Sequence, residues 1–248
     1  MFEDKLVSII MPAYNSERFI KESIDSVILQ SYSFWELIVI NDNSTDNTEE
    51  IVNEYCNLDS RIKLYRNDSI NGAANARNVA LHLSKGKYIA FLDSDDIWLE
   101  RKLELQVNIL DSGGFGASHS SYIRIDETGK KINEINCRGV VSYANQLKTN
   151  CIPNLTGIYN REVVGLVMQN NVGHEDYDMW LRILSQVSSK GIQEPLAKYR
   201  VCSNSLSSNK IKAALWHYRI IERQVGLSRK RKINAMLLYI YNAILKRI

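Results

Sequence analysis

The sequence predicts an α/β fold in which a parallel sheet is covered by helices on both faces, and three observations predict it. Over the first hundred residues, short apolar runs rich in β-branched residues alternate with segments whose apolar positions recur at helical spacing, as in successive βα units. The strand-like runs end in clusters of Asn, Asp and Ser, so polar chemistry falls at the carboxyl ends of the sheet, where ligands of such folds bind. The 248 residues are 45% hydrophobic and 24% charged, which supplies a sizeable core for one or two domains and excludes a disordered chain.

Leu6 to Met11 reads as a buried strand ended by Pro12, and Ser16 as the N-cap of a helix carrying Phe19, Ile20, Ile24, Val27 and Ile28. Leu37 to Ile40 is the second strand, closed by the turn formers Asn41 to Ser44, and a helix follows from Thr45 to Leu58. Ile62 to Tyr65 is the third strand, Ala73 to Leu83 the third helix, and Tyr88 to Leu92 a strand ending on a carboxylate-rich loop. Beyond it come a charged helix, Leu99 to Leu110, and two polar segments, Ala117 to Ile125 and Lys131 to Val141, joined by the turn Asp126 to Gly129 as an antiparallel hairpin. A helix at Ser142 to Leu147, a strand at Asn154 to Tyr159, a helix from Glu175 to Val187 and a strand at Leu196 to Val201 complete the globular part. The tail from Asn209 reads as helical, broken near Gly226 and Leu227. Its last section puts Ile233, Leu237, Ile240, Tyr241, Ile244 and Ile248 on one stripe.

No apolar stretch reaches the ~18 residues a membrane span requires. Met1 to Lys5 carries charges and runs straight into the first strand, without the progression of a secretory signal, which predicts a chain that is not secreted. Cys56, Cys137, Cys151 and Cys202 lie far apart with no Cys-x-x-Cys pair, supporting neither a zinc site nor a disulfide scaffold. Of the 31 basic residues ten lie from Lys210 onward, against one acid, Glu222, so the tail is strongly basic and the remainder acidic. Such a skew predicts an anionic partner. No interleaved aromatic platform for bases accompanies it, so an anionic membrane surface, and not nucleic acid, is the expected one.

Acids stand at two strand ends, Asp42 after the second and Asp93-Ser94-Asp95-Asp96 after the fourth. Asp93 and Asp95, alternating about a serine, can approach one hard cation, and Mg²⁺ or Mn²⁺ takes such oxygen ligands while leaving positions for phosphate. An isolated Asp-x-Asp is often only a solvated turn, but here the buried run Tyr-Ile-Ala-Phe-Leu delivers it to the sheet crevice.

Taken together, Val-Ser-Ile-Ile-Met-Pro-Ala-Tyr-Asn at 7 to 15, Ile-Asn-Asp-Asn-Ser-Thr-Asp at 40 to 46, Ala-Arg-Asn at 76 to 78, Gly-Lys-Tyr-Ile-Ala-Phe-Leu-Asp-Ser-Asp-Asp at 86 to 96 and Glu-Asp-Tyr-Asp-Met-Trp-Leu at 175 to 181 resemble the family 2 glycosyltransferases. The resemblance implies a GT-A fold with a Rossmann-like half, a mixed central sheet and C-terminal helices. It implies residues 1–98 as the nucleotide-sugar half, 99–208 as the acceptor and catalytic-base half of the same domain, and 209–248 as a basic amphipathic tail. It implies a UDP-sugar donor, Mn²⁺ or Mg²⁺, and transfer with inversion to a saccharide acceptor, lipid-linked as in assembly of a bacterial O-antigen or capsule.

Carried over by residue, the resemblance assigns Pro12, Ala13, Tyr14 and Asn15 to the nucleotide pocket, with the Tyr14 ring near the uracil and Asp42 accepting from the base. Arg77, with Asn71 or Asn67 nearby, points at the diphosphate or base. Asp93 and Ser94 contact the ribose, and Asp95, with Asp93, holds the metal. Asp176 is the base that deprotonates the acceptor, and Glu175 orients it. Asp178, deeper in the helix, reads as structural, and His119 and His174 as structural or acceptor-site residues, not catalytic ones. Asn43 stands where the family commonly has glycine, and Asn tolerates the left-handed turn. Cys202 stands where the family often has histidine, which argues against a metal ligand from that loop and leaves Arg200 or Ser205 as phosphate contacts. The expected location is cytoplasmic, peripheral at the inner face of the cell membrane.

Two other classes compete. A nicotinamide-dependent oxidoreductase would carry a glycine-rich turn where Pro12-Ala13-Tyr14-Asn15 stands. A non-catalytic nucleotide-binding or membrane-associated adaptor would not need both the Asp-Ser-Asp loop and the Glu-Asp pair.

Overall fold

The structure, a computed structural model, describes residues 3–68, 72–202, 210–224 and 226–245. Asn71, Ser205, Lys246, Arg247 and Ile248 lie outside the described residues. The elements run β1 (Glu3–Ala13), α1 (Ile20–Ile28), β2 (Trp35–Asn41), α2 (Thr48–Leu58), β3 (Ile62–Arg66), α3 (Ala73–Leu83) and β4 (Gly86–Phe91) through the first half. In the second half come β5 (Ile97–Trp98), α4 (Lys102–Asp111), β6 (Ala117–Ile125), β7 (Lys131–Ile135), β8 (Val140–Val141), α5 (Tyr143–Gln146), β9 (Ile158–Asn160), α6 (Arg161–Val164), α7 (Glu175–Leu184) and β10 (Ser189–Arg200). The tail forms α8 (Lys210–Glu222) and α9 (Arg229–Leu245).

One sheet runs through both halves in the order β3-β2-β1-β4-β9-β6-β10-β5, with β7 on β6 and β8 on β10. Strands β1 to β4 are mutually parallel, and β9 enters antiparallel between β4 and β6. The sheet is therefore mixed, as the GT-A expectation has it. Strand alternation divides the core between two faces. Val7, Ile9 and Met11 of β1 turn to α1, α2 and α4, while Ile10 and the alternate residues Ile38 and Ile40 of β2 turn to α3 and α7. Because β1 lies between β2 and β4, the chain leaves it to opposite sides, and a crevice opens at the carboxyl ends of these strands.

Several expected boundaries move. Pro12 does not end β1; it pairs with Ile40 inside the strand but lies beyond Ile10, the last residue of β1 paired with β4, so its missing N–H, which would face that side, breaks no ladder bond. Ser16 is not the side-chain cap of α1, which begins at Ile20 after a turn. Lys131 to Val141 is not one strand, since β7 pairs with β6 while Val140–Val141 crosses to β10. Asn154–Thr156 forms a 3₁₀ turn after Pro153, and only Ile158–Asn160 is strand. β10 begins seven residues before the expected Leu196, its polar first half held by pairing with β6 across two register shifts.

The tail packs with one face and leaves the other open. Ile220 and Ile221 of α8 and Ala235 of α9 join Tyr177 and Leu181 of α7 in one buried cluster, and Lys232 turns inward to the Glu222 carbonyl. His217 is stacked between Tyr177 and Tyr239, at 4.5 and 3.7 Å between ring centroids. Ile233, Leu237, Ile240 and Tyr241, four members of the expected stripe, are exposed. No helix among the described residues is long and apolar enough to cross a membrane.

Candidate functional site

At the carboxyl ends of β1, β2 and β4 lies a cleft of about 1090 Å³. It brings together Pro12, Ala13, Tyr14, Asn15, Asp42, Arg77, Asp93, Ser94 and Asp95, whereas Asn67, offered as a donor contact beside Arg77, does not line it and instead holds Asp42.

The wall after β1 is fixed by polar cross-links to the turn after β2. Asn15, at φ +46°, accepts from the Thr45 amide at 2.8 Å, and its own amide donates to Ser44 Oγ at 3.1 Å. Its side chain thus shapes the wall more than it faces the cleft. Asn43 adopts the left-handed backbone that a glycine would, at φ +63°. Asp42 is buried and held by Asn67 Nδ2 at 2.5 Å and the Gly72 amide at 2.8 Å, which fixes its carboxylate at the cleft floor. The Tyr14 ring stands at the rim, 60% exposed, with a free face for a planar group.

The acidic loop forms the opposite side. Ser94 Oγ meets Ser16 Oγ at 2.7 Å, so the residue expected as a helix cap instead ties the two walls together. Arg77 of α3 pairs with Asp93 at 2.5 Å and donates to Gln169 at 3.2 Å. Burial opposes the charge of this guanidinium, but Asp93, with Asp176 and Glu175 beyond it, keeps its pKa above the usual value. Burial, and then the neighbouring Asp93, push the Asp95 carboxyl up to about 6. Two carboxylates on one loop, one of them desolvated and facing the other, fit a divalent cation that would share its remaining positions with phosphate oxygens. Among the described residues no group of three or more His, Cys, Asp or Glu could hold a metal, so Cys202, which lines the cleft, adds no third ligand.

Arg200 departs from the phosphate contact expected of it. Its side chain is buried and spent: Nε donates to the Asp95 carbonyl at 2.8 Å, Nη2 pairs with Glu22 at 2.6 Å, and the guanidinium lies over the Phe19 ring. Its backbone amide donates to the fully buried Asp96, whose pKa rises well above the usual range through burial and the adjacent Asp95 and Asp93. Arg200 is thus a strut beneath the acidic loop.

Glu175 and Asp176 open α7, at the positive end of its dipole. They do not line the cleft, yet both act electrostatically on Arg77, which does. Glu175 accepts from the Gly173 amide at 3.2 Å, and Asp176 Oδ2 accepts from Asn150 Nδ2 at 3.2 Å. Asp178 is structural, paired with Arg182 at 3.0 Å and held by Asn170. His119 is buried between Ser189 Oγ and the Arg138 carbonyl, and His174 packs edge-on to Trp216. Sequence reading missed Asn150 and Gln169, single polar residues in loops with no periodic or motif signal.

The chain is similar in sequence and fold to known proteins. The sequence is 41% identical over 213 residues to WfgD of Escherichia coli, named UDP-Glc:alpha-D-GlcNAc-diphosphoundecaprenol beta-1,3-glucosyltransferase, covering 85% of this chain and 83% of that one. The fold superposes on residues 1–349 of S. aureus TarS in complex with UDP-GlcNAc, with a TM-score of 0.75 at 21% identity over 94% of this chain and 71% of that one. It also matches the mannosyltransferase PcManGT from Pyrobaculum calidifontis in complex with GDP-Man and Mn²⁺, with a TM-score of 0.70 at 20% identity over 95% and 69% of the two chains. The fold class is the expected GT-A one. The sequence pattern of glycosyl transferase family 2 matches residues 8–164, which include the cleft's first wall, Arg77 and the acidic loop, and the chain belongs to that family.

Proposed function

We propose that the protein is an inverting, metal-dependent glycosyltransferase that moves a sugar from a UDP-sugar to a hydroxyl of a saccharide carried on a lipid diphosphate, in assembly of a bacterial surface polysaccharide. The observation that carries this reading is the convergence on one cleft of the β1 wall, Asp42, Arg77 and the Asp93-Ser94-Asp95 loop, with Glu175 and Asp176 close enough to act on Arg77. The name of WfgD supports the donor and acceptor classes, and the Mn²⁺ bound to PcManGT supports a divalent metal.

In this reading Pro12, Ala13, Tyr14 and Asn15 enclose the nucleotide, and Asp42 accepts the imide N–H of uracil. Asp93 and Ser94 meet the ribose. Arg77 faces the diphosphate, and Asp95 with Asp93 holds Mn²⁺ or Mg²⁺. When bound, the ion neutralises the charge of the departing UDP. Asp176 takes the acceptor proton as the oxygen attacks the anomeric carbon, and Glu175 orients the acceptor. One base on the acceptor side with a leaving group on the other is the geometry of a single displacement, hence inversion. The exposed stripe of α9 beside Arg229, Lys230 and Arg231 rests on an anionic membrane, placing the enzyme at the inner face of the cell membrane, where the lipid-linked acceptor presents its sugar.

The test is incubation with a panel of UDP-sugars, Mn²⁺ and a short-chain N-acetylglucosaminyl diphospholipid, following UDP release and the mass and anomeric configuration of the product. Absence of UDP release with every donor sinks the reading, and a retained anomeric configuration sinks inversion.

A further inference from the structure

A second cavity, of about 300 Å³, lies between the start of the β6–β7 hairpin and the segment 149–153. It touches the proposed machinery at two points. Asn150 lines it and also donates to Asp176, so the cavity opens one side chain away from the proposed base. Tyr122 lines it and packs edge-on against Tyr199 of the donor cleft, 6.3 Å between ring centroids, so this aromatic pair divides one cavity from the other.

The lining is built and incomplete. Ser120 is 1% exposed, and its Oγ has no hydrogen-bond partner among the described residues, a deficit that a ligand hydroxyl would relieve. Arg138 lines the cavity with an exposed side chain that makes no ion pair among the described residues. Its backbone, in contrast, is locked. The Arg138 carbonyl meets His119 Nε2 at 3.0 Å, the Cys137 amide donates to Ser121 Oγ at 3.0 Å, and the Gly139 carbonyl accepts from the Gly191 amide at 2.9 Å. Gly191 packs so closely that a Cβ there would stand 1.9 Å from the Arg138 carbonyl oxygen. A cationic side chain on a rigid peptide, beside a cavity at the small end of ligand sites, has the form of a site for one compact ligand bearing an anionic group.

We propose that this cavity is the seat of the acceptor's diphosphate-linked sugar ring, with Ser120 and Asn150 reading its hydroxyls, Tyr122 supporting its face, and Arg138 holding the diphosphate. The proposal rests on the transferase reading above and names the acceptor subsite within it. Arg138 suits that role because a guanidinium binds phosphate oxygens bidentately. The size admits one pyranose ring, so specificity resides in the sugar next to the diphosphate, which is the ring that presents its hydroxyl to Asp176.

The test compares the full chain with Arg138→Ala, Arg138→Lys and Ser120→Val. Binding of N-acetylglucosaminyl diphosphate carrying a decyl chain, and of the corresponding decyl glycoside without phosphate, is measured by calorimetry with UDP present, and acceptor KM is measured for both. Arg138→Ala is expected to weaken the diphosphate probe at least about tenfold, as loss of a charged hydrogen bond implies, without changing the glycoside. Arg138→Lys recovers part of that loss, and Ser120→Val weakens both probes. UDP affinity and the melting temperature of each variant report an intact donor cleft and fold. A wild type that binds neither probe, or variants that bind both as wild type does, overturns the subsite. A wild type that binds the diphosphate probe through Arg138 and Ser120 but transfers no sugar overturns the transferase reading and leaves the subsite standing.

Discussion

Trp216 of α8 occupies the space that a side chain on Gly173 would need. A Cβ built on that glycine would come within 2.3 Å of the indole, and the same ring packs edge-on to His174 at 5.3 Å between centroids. Gly173 and His174 lead directly into Glu175 and Asp176, so the first tail helix braces the loop that carries the proposed base. His217, stacked on Tyr177, braces the other side of the pair.

Gly173→Ala is therefore expected to lower turnover with UDP affinity retained. The substitution meets the indole and also a backbone at φ +92°, where a side chain alone costs about 1–2 kcal/mol. Initial rates and UDP calorimetry on the same preparation check it. Wild-type rates would show that the brace does not set the position of the base.

Asp176→Asn should preserve UDP-sugar affinity while turnover falls by roughly 10² to 10⁴, the range of general-base loss. Asn150→Ala removes one hydrogen bond to the same carboxylate and should cost far less, about tenfold. Near-normal turnover in Asp176→Asn would move the base to Glu175.

Metal dependence is expected to pass through Asp95. Asp93 already neutralises Arg77, whereas Asp95 is desolvated and faces another carboxylate. Asp95→Ala should abolish transfer, and excess EDTA should silence the wild type until Mn²⁺ or Mg²⁺ is restored. Full activity in EDTA would falsify the metal site.

The parts legible in the sequence are those where one local signal decides the outcome. β2, β4 and the inner part of β1 are readable because each is a buried run dominated by apolar residues, the half-exposed β3 is readable by its place between two helical segments, and Ala73–Leu83 is readable to the residue. The acidic loop was readable because a buried strand precedes it. The first half of β10 is not, since Ser-Lys-Gly-Ile-Gln-Glu-Pro has one large apolar residue and is a strand because β6 and β8 lie beside it. Ser16 looked like a cap because hydroxyls favour that place, yet tertiary contacts gave it to Ser94. Arg200 could not be read as a strut, because Glu22, Phe19 and Asp95 come from segments far away in sequence.

The stack about His217 has a consequence for acid stability. Burial first, and His174 second, push its imidazole pKa down to about 3, from an ordinary 6.5. Between those values the unfolded chain binds a proton that the folded one refuses, so stability falls as the pH drops through that window and is unaffected above it. His217→Phe keeps a ring between Tyr177 and Tyr239 but cannot titrate. Denaturant unfolding from pH 7 to pH 4 should show wild type losing stability relative to the variant, by up to about 1.4 kcal/mol per pH unit. A constant difference across the range would mean that folding does not lower the His217 pKa.

The tail supplies the last prediction. Removing α9 altogether would strip Ala235 and Tyr239 from their buried contacts with α7 and α8, so a truncated chain would confuse packing with membrane binding. Outward-facing substitutions separate the two. Ile233 and Leu237 are 54% and 61% exposed, so Ile233→Glu with Leu237→Glu should leave the fold and its melting temperature unchanged. Arg229, Lys230 and Arg231 flank that stripe, and each basic residue near an anionic leaflet contributes about 1 kcal/mol, to which the inserted apolar face adds. The wild-type chain should therefore sediment with vesicles containing anionic lipid at low salt and detach as salt rises. The double variant should stay in the supernatant under both conditions, while an Arg229→Ser, Lys230→Ser, Arg231→Ser variant should lose only the salt-sensitive part. Equal sedimentation of the wild type and the double variant would remove α9 as the membrane contact.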